Sequence, residues 1–388
     1  MKTLRDIIRP SQLIPAVLGL LCIASTLSFA QDESEPAIGP NNILVHSKFG
    51  GEIFGFDIDQ NGTEGILSEA LSLSNGNIQA AVETFDQKTG KILSVVTETK
   101  DQDDFITLGV AGTSAGLFEH EHEVSFLHLQ RTFSVINPLS GNKITGKWTP
   151  PIGTTHLLSE VSRTQGSTNN AVFAQDNSGN FIPWVFSSNV AANTFGPVVK
   201  ITDSLNFGSV PPPLAYNTVT NTAVLGGGDG CFGCFPVIGL VNLTKGSFTE
   251  FTGIGFGFVN GIAVDSADNL ACTTTEDDAS IEIYDLATQT GFTVVLPNSG
   301  EQQIFSGADV EFDATNKLFL VAQPVSSSSP SGSSIYVYNT SGVLQETLNG
   351  FNFSNASTVI AMHIALKPST RTGFVDGPGN GEEQGFTY

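Results

Sequence analysis

Residues 258–297, FVNGIAVDSADNLACTTTEDDASIEIYDLATQTGFTVVLP, contain four short segments in which apolar residues alternate with small or polar ones. Ile262 and Val264 belong to the first segment, and Ile281 and Ile283 belong to the third. Clusters of Asp, Asn, Gly and Thr separate the segments. Alternation with a period of two between such clusters predicts half-buried strands joined by hairpins. The stretch is therefore predicted to form a four-stranded antiparallel sheet.

The two hairpins of this stretch recur along the whole chain. The first kind occurs at residues 82–96, 158–174, 214–226, 262–273, 310–322 and 364–376. The second kind occurs at residues 53–67, 133–145, 183–199, 239–251, 281–295 and 335–347. A four-stranded unit that repeats every ~40–50 residues is typical of a propeller blade. Six copies of each hairpin predict an all-β, six-bladed β-propeller with four-stranded antiparallel blades.

The order of the hairpins at the chain ends predicts how the ring closes. The chain starts with a hairpin of the second kind and ends with one of the first kind, so one blade must combine N- and C-terminal strands. Closure of this type leaves no open sheet edge. The sequence is compatible with three N-terminal strands and one C-terminal strand, and with two strands from each end. The propeller is predicted to span residues 42–376, with an insertion at about residues 100–131.

The N-terminal 30 residues have the pattern of an export signal. Basic residues precede an apolar run, residues 13–29, which ends in Ser28-Phe29-Ala30. This order is typical of a secretory signal peptide, whereas an uncleaved membrane anchor would need a longer run without Pro15. We therefore expect a signal peptide at residues 1–30, a linker at 31–41 and a flexible tail at 377–388. The protein is expected to be secreted or periplasmic, with no membrane span after cleavage.

The charge of the chain restricts its partners. The 388 residues include 16 Lys and Arg against 38 Asp and Glu, a net charge of −22. Because nucleic acids and anionic membranes are bound through Lys and Arg, neither is an expected partner. A monomer that binds a small molecule or a protein is expected instead.

The cysteines and sequons fit an exported protein. Cys231 and Cys234 form a C-x-x-C in a glycine-rich turn, which predicts a local disulfide rather than a redox or metal site. Cys272 lies in a predicted strand and is expected to be a small buried hydrophobe. Five glycosylation sequons begin at Asn61, Asn242, Asn339, Asn352 and Asn355.

An early turn has the pattern of a calcium loop. Asp57, Asp59 and Asn61, followed by Gly62, match the D-x-D-x-N-G opening of such loops. Oxygen ligands at alternate positions converge on the ion, while the glycine permits the sharp turn. The glutamate that completes an EF-hand is absent, since Ser68 occupies its position. An ordinary hairpin turn is the alternative interpretation.

The predicted insertion contains a second candidate pair of ligands. His120 and His122 are separated by one residue, so they share one face of a strand and could bind a metal through their imidazoles. A solvated acidic strand is the alternative, because three glutamates alternate with these histidines.

Residues at the start of each first strand are expected to meet at the propeller axis. They are Asn77 or Gln79, His156, Pro212, Asn260, Asp309 and His363. Several of these are ligands that divalent metals accept, and they arrive from separate blades.

Two stretches resemble the blades of a known family. VNGIAVDSADNLACT and SGADVEFDATNKLFLVA are similar to successive blades of the gluconolactonase/regucalcin-type six-bladed propellers and, less specifically, of NHL-type repeats. The resemblance implies that Asn260 and Asp309 bind a catalytic calcium ion and that His363 lies nearby. His363 and His156 are the candidate catalytic residues if the protein is an enzyme. The glutamate of that family has no counterpart here, and Pro212 stands where a further Asn is expected.

Two functions follow from these observations. Because the ligand set is incomplete, we predict a secreted binding or scaffold module for an unidentified ligand or partner. The alternative is a calcium-dependent lactonase or esterase with its site at the axis, in which the ion polarises the substrate and a histidine or aspartate activates water.

Overall fold

The computed structural model of the chain describes residues 38–50, 52–59, 62–74, 78–100, 108–111, 117–123, 131–137, 143–148, 154–162, 169–177, 181–189, 194–201, 213–228, 235–275, 280–297, 309–323, 334–351, 363–376 and 382–388. The predicted signal peptide and the linker up to residue 37 lie outside these ranges. Within them, regular structure consists of β-strands and one short 3-10 turn, Pro368–Thr370.

The described strands form seven four-stranded antiparallel sheets. The first sheet contains β2 (Glu52–Ile58), β3 (Glu64–Ser72), β4 (Ile78–Asp86) and β5 (Ile92–Lys100). The second contains β6 (Leu108–Ala111), β7 (Leu117–Glu123), β8 (Arg131–Asn137) and β9 (Lys143–Trp148). The third contains β10 (Thr154–Ser162), β11 (Asn169–Asn177), β12 (Phe181–Asn189) and β13 (Thr194–Lys200).

The remaining sheets follow in chain order. The fourth contains β14 (Leu214–Asn217), β15 (Thr222–Gly228), β16 (Pro236–Asn242) and β17 (Ser247–Thr252). The fifth contains β18 (Val259–Asp265), β19 (Leu270–Thr275), β20 (Ser280–Asp285) and β21 (Thr290–Val295). The sixth contains β22 (Val310–Asp313), β23 (Leu318–Gln323), β24 (Ser334–Asn339) and β25 (Leu344–Asn349). The closing sheet contains β26 (Ile364–Lys367), β27 (Thr372–Asp376), β28 (Glu382–Thr387) and β1 (Gly39–His46).

The first strand of each sheet contacts the first strand of the next. The order of contact is β2, β6, β10, β14, β18, β22 and β26, and β26 in turn contacts β2. These strands therefore surround a common axis, which is the arrangement of a β-propeller. The predicted all-β propeller with four-stranded antiparallel blades is confirmed, but the described strands make seven sheets where the sequence predicted six.

The additional sheet lies where the sequence predicted an insertion. Residues 100–131 contribute β6 and β7, which form one sheet with β8 and β9 in the order β6-β7-β8-β9. The hairpins at residues 53–67 and 82–96 belong to one sheet rather than to two. The repeat was missed because β6 is only four residues long and β7 carries alternating Glu and His instead of apolar residues.

The closing sheet combines both chain ends, but it contains only one N-terminal strand, so neither of the two predicted divisions is correct. β1 pairs with β28, and the other three strands are C-terminal. The predicted flexible tail is therefore wrong for residues 382–387, which form β28 between β27 and β1. The strand β28 was not predicted because its sequence is mostly polar, although Phe386 and the following Tyr388 are both buried.

Short turns with a repeated design join the first and second strands of a sheet. Asp265 accepts hydrogen bonds from the backbone N–H groups of Ala267 and Asp268 through Oδ1, at 3.0 and 3.3 Å. Asn269 then adopts a left-handed conformation with φ of 56°. The same arrangement occurs at Asn217 and Asp313, so the repeated Asp or Asn of the sequence caps its own turn.

Side chains link these turns from one sheet to the next. Lys317 Nζ lies 2.8 Å from both carboxylate oxygens of buried Asp265. Asn217 Nδ2 donates to Asn269 Oδ1 at 2.8 Å, and the Tyr388 hydroxyl donates to Asp313 Oδ2 at 2.8 Å. These bonds place the turns of neighbouring sheets on one face of the molecule, here called the turn face. The opposite ends of the sheets are here called the loop face. At this face the last strand of one sheet is joined to the first strand of the next by the longer connections 201–213, 296–309 and 350–363.

The apolar core lies between neighbouring sheets. Leu320 and Val337 of the sixth sheet pack with Val375 and Phe386 of the closing sheet. A second cluster joins the fifth and sixth sheets and contains the free thiol Cys272, which is fully buried as predicted. Burial raises the pKa of that thiol well above its ordinary range, with a smaller effect from Glu282, so it stays protonated. Cys231 and Cys234 lie outside the described residues.

Candidate functional site on the loop face

Four of the predicted axial residues lie at or near the starts of first strands. Asn260 is the second residue of β18, and His156 lies in β10. Asp309 and His363 directly precede β22 and β26. Gln79 was assigned wrongly, because β4 is the third strand of its sheet. Asn77, Pro212 and the side chain of His156 lie outside the described part of the chain.

His363 forms a close pair with Asp376. The imidazole Nδ1 lies 2.7 Å from Asp376 Oδ2, and the backbone N–H of His363 donates to Asp376 Oδ1. Asp376 ends β27 and is buried, whereas 35% of the His363 side chain is exposed. The backbone N–H of Asp376 donates to the His363 carbonyl at 3.2 Å, so the two residues face each other across one hairpin. Asp376 was not predicted as a site residue, although it ends the hairpin that His363 precedes.

Asp309 joins this pair to the sixth sheet. Its Oδ1 accepts a hydrogen bond from Val310 N at 2.8 Å, and its Oδ2 accepts one from Ile364 N at 3.1 Å. One carboxylate therefore fixes the starts of β22 and β26 relative to each other. Burial raises its pKa, although the charge of His363 and the two backbone bonds act in the opposite direction.

The protonation of His363 is controlled by these carboxylates. Burial lowers its pKa, but the charge and hydrogen bond of Asp376 and the charge of Asp309 outweigh that effect and raise the pKa to about 9. His363 is therefore an imidazolium at neutral pH. In that state it can donate hydrogen bonds but can neither act as a base nor coordinate a metal.

Two further carboxyl groups near the axis are those of Glu311 and Asp57, and the charge of Asp57 affects the pKa of Glu311. Glu311 of β22 is accessible to solvent, but it lies deep enough in the molecule that loss of surrounding water raises its pKa well above the ordinary range. The charges of Asp309 and of Asp57, on β2, raise the pKa further. Three first strands thus contribute to one acidic axial site, defined as Asp57, Asp309, Glu311, His363 and Asp376. Glu311 was missed because it lies inside a strand rather than at its start.

The structure describes only part of the predicted calcium ligands. Asp57 interacts with Glu311, whereas the Asp59 carboxylate lies over its own turn, where a Cβ added to Gly62 would be 2.2 Å from Asp59 Oδ2. No three His, Cys, Asp or Glu side chains of the described ranges are placed to hold a metal ion. Asn260 Nδ2 is buried without a hydrogen-bond partner there. Because Asn61 lies outside those ranges, calcium at Asp57, Asp59 and Asn61, or at Asn260 and Asp309, stays a prediction.

An exposed aromatic pair also lies on the loop face. Phe235 precedes β16 and Phe256 lies between β17 and β18, with 50% and 47% of their surfaces exposed. Their rings are stacked with centroids 5.6 Å apart and planes at 26°. This pair was not predicted, although the alternation of Gly with apolar residues in GIGFGF (253–258) distinguishes the loop that carries Phe256.

The loop that carries Phe256 is fixed at its base. The backbone N–H of Ile254 donates to the Tyr284 hydroxyl at 2.9 Å, and that hydroxyl donates to the Ile254 carbonyl at 3.1 Å. Tyr284 is buried. Gly255 and Gly257 have φ of 92° and 87°, conformations that a residue with a side chain rarely adopts. The glycines therefore turn the chain sharply on both sides of Phe256.

Other predicted features have structural explanations or lie outside the described residues. Asn242 and Asn339 cap their own turns through their side-chain oxygens, and their glycosylation stays a prediction. His120 and His122 lie on β7, where nothing of their side chains is described. In the described part of the chain, no helix is both long and apolar enough to cross a membrane.

Comparison with known proteins identifies the fold. No protein-family model and no curated protein matches the sequence. A chain of the mitotic checkpoint complex crystal structure matches with 15% identity and a TM-score of 0.59, covering 96% of this chain and 99% of that one. The structure of U3-55K matches with 12% identity and a TM-score of 0.62, covering 90% and 100%. The β-propeller domain of Cps50 (Swd1) from Myceliophteria thermophila matches with 10% identity and a TM-score of 0.55, covering 91% and 100%.

Because the sequence identities are low, these similarities establish the β-propeller fold but not a family or a function. They do not favour the gluconolactonase/regucalcin or NHL type. Seven described sheets also differ from the six blades of the first type.

Proposed function

We propose that this protein is a binding module that holds a protein partner on its loop face. The observation that carries the proposal is the stacked pair of Phe235 and Phe256, whose half-exposed rings stand on a fixed loop. Aromatic residues are enriched among the side chains that contribute most to protein–protein binding. Burial of the exposed half of each ring contributes about 1–2 kcal/mol.

The rigidity of the pair supports this function. Tyr284 holds the base of the loop, and Phe235 stacks against Phe256 before any partner arrives. A partner therefore loses little free energy in ordering these side chains, because binding is most favourable when the contact surface is already in its bound form.

Electrostatics indicate the class of partner. The net charge is −22, and the acidic axial site contains the carboxyl groups of Asp57, Asp309, Glu311 and Asp376. A basic protein or peptide segment with an apolar side chain complements this surface. The fold is consistent with such a role, since one similar chain belongs to a multi-protein complex.

The test uses peptides selected from a displayed library on the immobilised wild-type protein. Their dissociation constants are then measured by calorimetry on the wild type, on a Phe235→Ser/Phe256→Ser double variant and on Phe292→Ser. Phe292 is a matched control, because it is 45% exposed but lies on the outermost strand β21.

We expect the double variant to bind about 10–100 times more weakly, as loss of two aromatic contacts predicts. Phe292→Ser is expected to bind like the wild type, and the selected peptides are expected to be rich in Lys and Arg. Equal binding by the double variant contradicts the proposal.

A second candidate is the predicted calcium-dependent lactonase or esterase. The observation in its favour is the close pair of His363 and Asp376 beside Asp309, since such a pair can hold and transfer a proton. Because His363 is an imidazolium below pH 9, any reaction that needs it as a base is expected to accelerate as the pH approaches that value.

The test of this second candidate is a metal analysis of the purified protein, followed by a lactone and aryl-ester panel at pH 7–10 with and without a chelator. Turnover that is lost in folded Asp309→Ala supports it. Absence of turnover throughout the panel removes it and leaves the binding module intact.

A further inference from the structure

Four buried carboxylates meet where the two ends of the chain close the ring. They are Glu69 of β3, Glu83 of β4, Asp376 of β27 and Glu383 of β28, here called the seam cluster. Their exposures are 0%, 0%, 2% and 0%. The first two belong to the first sheet and the other two to the closing sheet, so the cluster lies between the blades that join the termini.

Of the four carboxyl groups, that of Glu383 has the surroundings least favourable to its ionised form. Both of its carboxylate oxygens are buried without a hydrogen-bond partner among the described residues. None of the ion pairs between described side chains includes Glu383. Asp376 lies directly opposite Glu383 in the β27–β28 register, where like charges repel.

The seam cluster contacts the N-terminal strand at two points. Val45 of β1 pairs with Glu383 in the β1–β28 register. Directly after β1, the backbone N–H groups of Lys48 and Phe49 donate to the two oxygens of Glu83, both at 3.0 Å. The charge state of the cluster therefore acts on the strand that closes the ring.

A carboxylate in this position is tolerated only in its neutral form. An ionised carboxylate that is buried without donors costs several kcal/mol, whereas the protonated group can donate to a neighbouring carboxylate. Burial raises the pKa of Glu383 well above its ordinary range, and the charges of Asp376, Glu69 and Glu83 raise it further. Burial also raises the pKa of Glu83, although the bonds from Lys48 and Phe49 act against it.

We propose that Glu383 is a proton-operated latch, which holds β1 in the closing sheet while it is protonated and releases β1 when it ionises. The groups that face it are Asp376 from β27, Glu69 from β3 and Glu83 from β4. His363 pairs with Asp376, and Lys48 acts on Glu83. At the exposed edge of the same strand pair, His46 and Glu382 lie 3.2 Å apart and form a separate contact.

The direction of the pH dependence follows from proton linkage. Glu383 binds its proton more tightly in the closed seam than after β1 has detached. The stability of the seam is therefore complete at and below the ordinary pKa of a glutamate and decreases as the pH rises towards the raised pKa of the folded state. Within that interval the opening equilibrium grows up to tenfold per pH unit.

The experiment is hydrogen exchange of the full-length protein, followed by mass spectrometry, from pH 5, near the ordinary pKa of a glutamate, to pH 9. Opening constants of the β1 amides, residues 39–46, are corrected for the chemical exchange rate and compared with those of β19, residues 270–275, in a distant sheet. In the wild type, we expect β1 opening to grow up to tenfold per pH unit while β19 changes less. Glu383→Gln is expected to abolish this slope, because the amide side chain of glutamine does not ionise at any pH in this range. Glu382→Gln removes the neighbouring ion pair and is expected to keep the wild-type slope.

Three results would overturn the proposal. They are a flat β1 profile in the wild type, an unchanged slope in Glu383→Gln, and restoration of β1 protection at pH 9 by added calcium, which would make a cation the neutralising species. If Glu383→Gln does not fold, Glu69→Gln decides the question. Glu69→Gln removes one of the charges that face Glu383, so the pH range in which β1 opening increases is expected to move to lower pH. An unchanged pH dependence of β1 opening in this variant contradicts the proposal.

Discussion

A chain that ends at residue 381 is expected to lose the folded ring. The truncation removes β28, which pairs with β27 on one side and with β1 on the other. Without β28, the N-terminal strand has no partner in the closing sheet. Because the ring is closed through this sheet, we expect the loss to extend beyond the last seven residues.

The magnitude of the effect follows from what β28 and the chain terminus bury. Phe386 is fully buried in the cluster between the sixth and closing sheets, and loss of a buried Phe side chain costs about 3–5 kcal/mol. Tyr388 is also buried, and its hydroxyl bonds Asp313. The truncation also removes the backbone hydrogen bonds of β28 with β27 and with β1. The total loss in the free energy of unfolding therefore approaches ~5–15 kcal/mol, the usual stability of a domain.

Urea unfolding followed by circular dichroism measures this effect. Tyr388→Phe is the control, since it removes only the hydroxyl bond to Asp313 and is expected to cost about 1–2 kcal/mol. A truncated chain with the unfolding midpoint of the wild type would show that the C-terminal segment is the flexible tail that its sequence suggests.

The parts of the fold that could be predicted from sequence are those with a local cause. Hairpins such as residues 262–273 were found because Asp265 caps the turn through bonds within four residues. β28 and β7 were missed because their partners, not their own residues, make them strands. Neither segment has the apolar alternation that identifies a half-buried strand.

The residues of the candidate site also divide into those with a local cause in the sequence and those that only the folded chain brings together. Asp309 and His363 were found because the start of a first strand must lie near the axis. Asp376 was missed because its partnership with His363 depends on the hairpin register. Phe235 and Phe256 are separated by two strands, and only the folded chain stacks them.

Asp376→Asn is expected to lower the pKa of His363 by at least about two pH units. In the wild type, burial lowers that pKa, and the charge and hydrogen bond of Asp376, with the charge of Asp309, raise it to about 9. The substitution removes the nearest charge but keeps an oxygen that can accept from Nδ1. Burial then outweighs the remaining charge of Asp309, so His363 becomes neutral at physiological pH.

The measurement is an NMR titration of the imidazole signals. Asp309→Asn is the control, because Asp309 acts on His363 through its charge alone and is expected to lower the pKa by a smaller amount. The wild type should also lose stability as the pH rises from the ordinary value of histidine to about 9, since the folded state holds the proton more tightly over that interval. That loss is expected to be absent in Asp376→Asn. A His363 pKa near 9 in this variant would mean that the buried aspartate does not control the imidazole.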